Sequence, residues 1–466
     1  MELSISSLKE WFQKNETTVQ NDFFQFLRYQ SISTDAAYKN ECRKTAQWLS
    51  SYLDGIDFNA ELLESSGHPV VFAEKHKDPS FPTVLIYHHY DVQPVDPIDL
   101  WDTDPFNPTL KEGKVFARGA SDNKGQCFYS ITALKALKEL LKDLPVNIKL
   151  FIEGEEESGG GGTQEVLKNY QDKLKADHLC VIDFGIPGKN VPAISIGYRG
   201  ILTLNLECKN ASTDLHSGMH GGIALNPNRI LTQFIAKLWD EKGKVTIPHF
   251  YDSITQISAE EKALVDFSFN EDEYRKDFGV GALCSEEGVS SPKEANGLFP
   301  TLEINGMWGG YTGEGFKTVI PAKAFAKISC RLVPDQDPNE IIKNLEQFML
   351  QNTPKGAELK ITWSHGAKAY RTAGNTRLVK AVRKSIEEVF EKEPCLSTLC
   401  GGAVPIVRDL MDASGAEPAM FGFALDTDDI HAPNEHFEWD CFKKGFMTVA
   451  LVLWKISQEK KTSKED

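Results

Sequence analysis

Residues 83–91 read Thr-Val-Leu-Ile-Tyr-His-His-Tyr-Asp. The apolar run Thr83–Tyr87 passes directly into two histidines, and an aspartate follows. A short run of β-branched and aromatic residues that ends this abruptly predicts a buried strand. In an extended segment, side chains two apart share a face. His89 and Asp91 therefore point together, and His88 points away. One imidazole nitrogen can then bind a metal while the carboxylate orients the other. Taken alone, the pair reads equally well as a structural hydrogen bond.

The same design recurs on either side. VNIKLFI (146–152), HLCVI (178–182) and PAMFGF (418–423) are strand-like, and helix-like stretches at 128–142, 163–174, 375–391 and 439–456 alternate with them. That alternation predicts an α/β layer, a largely parallel central sheet flanked by helices. The first 50 residues carry Leu8, Trp11, Phe12, Phe23, Phe24, Leu27, Trp48, Leu49 and Leu53 at helical spacing, as core-facing helices do. Near residue 200 the texture changes. Residues 201–208 and 358–363 and parts of 318–333 alternate like half-exposed antiparallel strands, with a helix-like stretch at 226–239 and a polar, acidic segment near 252–300 between them. The expected organisation is a catalytic domain of residues 1–199 and 366–466, interrupted by an inserted α+β domain at 200–365. The tail KISQEKKTSKED (455–466) reads as a frayed end.

Composition excludes several functions. A chain of 466 residues exceeds the ~250–300 that one core supports. The net charge of −16 argues against nucleic acid or an anionic membrane as partner. No apolar run reaches the ~18–20 residues of a membrane span, and the N-terminus MELSISSLKEWFQKNE has no signal-peptide pattern. The nine cysteines are scattered with no C-x-x-C pair, so a reducing, cytoplasmic setting is expected rather than a disulfide framework.

The chemistry collects where the strands end. Glu153, Glu155, Glu156 and Glu157 crowd the end of the run at 146–152. Carboxylates this close raise one another's pKa unless cations intervene. Neighbours there could divide the work, one binding metal and one acting as base. Asp122 in RGASDNKG opens a helix and could equally be its cap. Asp183 ends HLCVI, and His431 lies in the loop DTDDIHAPNEH. In open α/β sheets, ligands bind outside the carboxyl ends of the strands. Two histidines and several carboxylates without cysteine suit Zn²⁺, Mn²⁺ or Co²⁺. The charges of Asp122, Glu157 and Asp183 balance two divalent ions and one bridging hydroxide. No H-E-x-x-H or G-x-S-x-G motif is present. The glycine run 159–162 lacks the Lys-Ser/Thr of a phosphate loop, and GGYTGEG (309–315) has no dinucleotide-binding context.

In order along the chain, YHHYDVQP (87–94), ARGASDNKG (117–125), EGEEESGG (153–160), VIDFG (181–185), DLHSGMHGG (214–222), GEGFKTVIPAKA (313–324), CRLVP (330–334) and IHAPNEHF (430–437) resemble the co-catalytic zinc dipeptidases. These form the cytosolic nonspecific dipeptidase and carnosine dipeptidase branch of the aminoacylase/carboxypeptidase-like metallopeptidases. The resemblance implies two divalent ions per subunit, zinc first and manganese or cobalt as alternatives. His89 and Asp183 would hold one ion, Glu157 and His431 the other, and Asp122 would bridge them, with a cis peptide after it. Asp91 would brace His89, and Glu156 would be the general base that activates a metal-bridging hydroxide. The inserted domain would be a lid and dimerisation domain. On it, His216 would polarise the scissile carbonyl in the partner subunit of a homodimer, while Thr318, Arg331 and Gly402 would contact a small peptide substrate, Arg331 at its carboxylate. The implied reaction is dipeptide hydrolysis. An N-acyl-amino-acid deacylase or desuccinylase of the same architecture is the alternative. Two departures stand out. His88 occupies the usual place of Gly, where it could crowd the site or add a ligand, and Cys400-Gly401-Gly402-Ala403-Val404-Pro405 replaces Glu-Gly-Gly-Ser-Ile-Pro.

Overall fold

The computed structural model describes residues 3–458 apart from 142, 253, 255–261, 264, 266, 285–290, 364–365, 373, 403 and 405. Ala403 and most of the C-terminal tail thus lie outside the described residues. Contacts divide the chain into two compact units. One comprises Met1–Ile196, Thr372–Thr398 and Ile406–Asp466, and the other Gly197–Arg371 with Leu399–Pro405.

In the first unit, Ser4 starts the helix Ile5–Leu27 through a reciprocal capping box with Ser7, each bond 3.1 Å. Leu8, Trp11, Phe12, Val19, Phe23 and Phe26 recur at helical spacing and are buried. They meet the last helix, Trp439–Ser457, where the Phe446 ring lies 5.7 Å from that of Trp11 and 5.2 Å from that of Phe12. The central sheet runs in the order Asn59–Leu63, Val70–Lys75, Asn147–Glu153, Thr83–His89, His178–Val181, Pro418–Met420, Ala193–Tyr198. The four strands from Asn147–Glu153 to Pro418–Met420 are mutually parallel, and the others pair antiparallel on both sides of them. The sheet is therefore mixed, with a parallel centre. Its antiparallel margin at 59–63 and 70–75 was not anticipated, because VVFA is too short a run to stand out from a loop.

Parallelism places the site. The strands ending at His89, Glu153, Val181 and Met420 all deliver their carboxyl ends to one edge. The helix Lys124–Leu140 crosses nearby and is buried over most of its length.

The second unit has an antiparallel sheet in the order Thr301–Gly309, Lys323–Leu332, Gly200–Lys209, Glu358–Trp363. Leu202, Leu204, Leu206, Leu302, Ile328 and Leu332 point to one face and form a core with Ile230, Leu231, Phe234, Ile341 and Leu345. These last five come from the helices Pro227–Ala236 and Pro338–Asn352, each opened by an N-cap (Asn226, Asp337) followed by Pro at the first turn. The alternation legible at 201–208 is this covered face against an uncovered one. Within the polar stretch 252–300, the helices Glu271–Phe278 and Pro292–Leu298 are described.

Candidate metal centre

Every residue of Thr83–His89 is buried, so its last two side chains have to find polar partners inside the protein. His89 Nε2 faces Asp122 Oδ1 at 3.1 Å and Asp183 Oδ1 at 3.6 Å. Its Nδ1 faces the Asp91 carbonyl at 3.1 Å and Asp91 Oδ1 at 3.4 Å. Asp91 is held in turn by its other oxygen, which accepts from Ser33 Oγ (2.6 Å) and from the Glu157 amide (3.0 Å).

His88 turns the other way, as strand alternation requires, and it belongs to neither donor group. Its Nδ1 lies 2.8 Å from Asn123 Oδ1. Asn123 spends both amide protons on the Ile182 carbonyl (2.9 Å) and Asp183 Oδ1 (2.6 Å). Its oxygen can therefore only accept, so His88 carries its proton on Nδ1. Burial depresses the His88 imidazole to a pKa of about 3, so it is neutral. His88 thus buttresses Asp183 through Asn123.

Asp122 does not cap the following helix, whose N-cap is Asn123. It lies in a turn gathered around the buried Glu435, which accepts from Arg118 Nη1 (2.8 Å) and from the amides of Gly119 (2.8 Å), Ser121 (3.0 Å) and Asp122 (3.1 Å). Removing one partner of a buried pair such as Arg118–Glu435 costs about 3–5 kcal/mol, so the turn is firmly held. Gly119 has φ of +80°, and a β-carbon there would meet Val92 Cγ1 at 2.5 Å. The Asp122–Asn123 peptide is cis. In this pose Asp122 offers its two oxygens to different neighbours: Oδ1 to His89, and Oδ2 to His431 Nε2 at 2.9 Å.

The glutamate run separates by contact. Glu153 accepts from Tyr87 Oη (2.7 Å) and Thr163 Oγ1 (2.6 Å), and Glu155 accepts from the Thr163 amide (3.0 Å). Glu157 Oε2 lies 3.2 Å from His431 Nε2 and accepts from Gln93 (2.8 Å). The Glu156 carboxylate makes no hydrogen bond among the described residues, its carbonyl alone accepting from the Gly159 amide (3.3 Å). Burial holds its carboxyl well above the usual range, and the charges of Asp183, Glu157 and Asp122 add to this against the opposing pull of His89. Burial, then the charge of Asp122, raises Glu157 to about 7. Burial opposes charge on His431, but its hydrogen bonds to Asp122 and Glu157 outweigh that and carry it to about 11.

Two donor groups result: His89, Asp122 and Asp183, and Asp122, Glu157 and His431, each with ligand atoms within 4.8 Å of one another. Asp91 Oδ1 and Glu157 Oε1 are buried without a hydrogen bond. An all-nitrogen-and-oxygen donor set with surplus negative charge and an orphaned buried oxygen fits divalent cations.

His216, Thr318, Arg331 and Gly402 belong to the second unit. His216 is exposed, its Nδ1 accepting from the Gly218 amide at 3.0 Å. It pairs with Val319 on a two-stranded ribbon, next to Thr318. Sequence reasoning gave no role to Ser33, Gln93, Asn123 or Glu435. Three of these stand inside the quoted motifs, where their positions were visible but their partners were not.

The model of Peptidase family M20/M25/M40 matches residues 85–455. Among curated proteins, the Beta-Ala-His dipeptidase of Rattus norvegicus is 29% identical over 465 residues, spanning 96% of this chain and 92% of its own length. Among solved structures, the di-peptidase Dug1p from Saccharomyces cerevisiae superposes with a TM-score of 0.87 at 26% identity, covering 99% of this chain and 100% of its own. The M20 family metallo-carboxypeptidase Sso-CP2 from Sulfolobus solfataricus gives 0.85 at 32% identity, covering 94% and 99%. The match covers all five residues of the two donor groups and begins after the N-terminal helices, and this chain belongs to peptidase family M20/M25/M40.

Proposed function

We propose that the chain hydrolyses the peptide bond of dipeptides with two divalent metal ions, zinc first among the candidates. The observation that carries this is Asp122, whose two oxygens face two separate donor groups. His89, Asp122 and Asp183 would hold one ion, and Asp122, Glu157 and His431 the other. When bound, such a pair acidifies water towards a pKa of about 7 and polarises a carbonyl. Glu156 takes a proton from the attacking water and returns it to the leaving amine. Asp91 keeps Nδ1 of His89 occupied, which leaves Nε2 turned towards Asp122 and Asp183. His216 polarises the scissile carbonyl, and Arg331 receives the substrate carboxylate. Relatives whose names specify dipeptides support this substrate over N-acyl amino acids.

EDTA is expected to abolish dipeptide hydrolysis, and Zn²⁺ or Mn²⁺ to restore it. Preferential cleavage of N-acetyl or N-succinyl amino acids would reject the dipeptide assignment.

The second unit exposes Met219, Ile223, Leu225, Trp308, Tyr311 and Phe316 on and around the ribbon bearing His216 and on the edge strand Thr301–Gly309. So much exposed apolar surface supports a homodimer in which His216 acts on the partner's substrate. Mixing His216→Ala with Glu156→Gln subunits is then expected to recover about a quarter of wild-type activity, since half the dimers are mixed and one of their two sites is intact. If His216 acts within its own chain, mixing recovers nothing.

A further inference from the structure

The uncovered face of the second unit's sheet carries two arginines. Arg331 lies directly opposite Ile201 on one neighbouring strand and Thr301 on the other, and directly opposed residues share a face. Arg199 lies just before the strand Gly200–Lys209, and its side chain reaches that same face at Thr301. Its Nη1 reaches Thr301 Oγ1 at 3.2 Å and the Phe299 carbonyl at 3.4 Å, and its Nε donates to the Gly401 carbonyl at 3.0 Å. The Arg199 amide is shared between the Cys400 carbonyl (3.2 Å) and the Gly402 carbonyl (3.1 Å). Arg199 thus ties Cys400, Gly401 and Gly402 to the edge of this sheet, beside Arg331.

Neither guanidinium has a carboxylate partner among the described residues. Arg199 is only 6% exposed, and Arg331 is half-buried. Burial, then the charge of Arg331, lowers Arg199 to about 10, so both remain charged at neutral pH. The charge of Glu303 reaches Arg199 and favours its cationic form, but no carboxylate does the same for Arg331; two adjacent cations taken out of water with so little counter-charge are costly, and an anion relieves that cost. Cys400 lies close enough to both to influence their protonation. It stands where the resembling dipeptidases carry Glu, and a thiol supplies no carboxylate.

We propose that Arg199 and Arg331 form a two-cation site for a dicarboxylate, so that the enzyme prefers dipeptides whose C-terminal residue is Asp or Glu. This rests on the second unit supplying the substrate contacts. Arg331 pairs with the α-carboxylate. Arg199, whose Nη2 makes no hydrogen bond among the described residues, supplies the charge that matches the side-chain carboxylate. A neutral C-terminal residue leaves that second charge unmatched.

The test is a panel of Ala-Asp, Ala-Glu, Ala-Ala and Ala-Lys with the metal-loaded enzyme. kcat/KM for the acidic pair is expected to exceed that for Ala-Ala by about tenfold or more, chiefly through KM. Cys400→Glu should bring the ratio towards one by neutralising the pair, while Ala-Ala is still cleaved. Equal or weaker use of the acidic dipeptides by the wild type overturns the proposal, whether or not the variant folds. So does an unchanged ratio in a folded Cys400→Glu enzyme. Cleavage of Ala-Ala without acidic preference leaves the dipeptidase reading standing, whereas no cleavage of any dipeptide removes both.

Discussion

Glu156→Gln is expected to lower kcat by about 10²–10⁴-fold, the usual contribution of a general base, while the protein keeps its full metal content. Glutamine preserves shape and cannot take up the proton. The neighbouring glutamates are committed elsewhere: Glu153 and Glu155 to Thr163, and Glu157 to His431 and Gln93. Glu156 alone of the run has a carboxylate with no hydrogen bond among the described residues, and burial favours its protonated form. A carboxyl raised in this way by burial binds a proton more readily than a solvated one, as a general base must. Metal analysis beside steady-state kinetics separates the roles. A Glu156→Gln protein that has lost an ion would make Glu156 a ligand. The converse control is Glu157→Gln, for which a lost ion is the expected result.

Asp122→Ala should be more damaging still, because one side chain faces both donor groups. His431→Ala is expected to remove one ion and spare the other. Asp122→Ala is expected to weaken both, each by more than the about 10–100-fold that follows loss of a mere outer partner. Hydrolysis should then fall below detection. Titration of the stripped protein with Zn²⁺ reads the two affinities directly. A single tight site surviving in Asp122→Ala would end the bridging assignment.

What was legible in the sequence follows from where the physics is local. Thr83–His89, Asn147–Glu153 and His178–Val181 were visible because a strand buried on both faces needs an unbroken apolar run. The split between His88 and His89 was visible because side-chain alternation needs no tertiary information. The strands at 59–63 and 70–75 were missed because they are short and their pairing is set by Asn147–Glu153, far along the chain. Glu435 was missed for the same reason. Its bond to the Asp122 amide joins residues 313 apart, and no local pattern announces such a partner. Arg199 carried no signal in the sequence, and only the pairing of Arg331 with Thr301, which Arg199 reaches, sets the two side by side.

The grip of Glu435 on the Asp122 turn also sets an order of events during synthesis. Chains fold from the N-terminus as they emerge. The turn carrying Asp122 is made early, but the acceptor for Arg118 and three of its amides is made more than three hundred residues later. His431 comes from the same late segment, and the helix Trp439–Ser457, which covers the first helix, follows it. A nascent chain interrupted before Glu435 would own His89, Glu157 and Asp183 yet leave Asp122 on an unanchored turn. The candidate metal cage is therefore expected to be among the last parts of the molecule to become rigid, so that ion capture would mark a finished polypeptide.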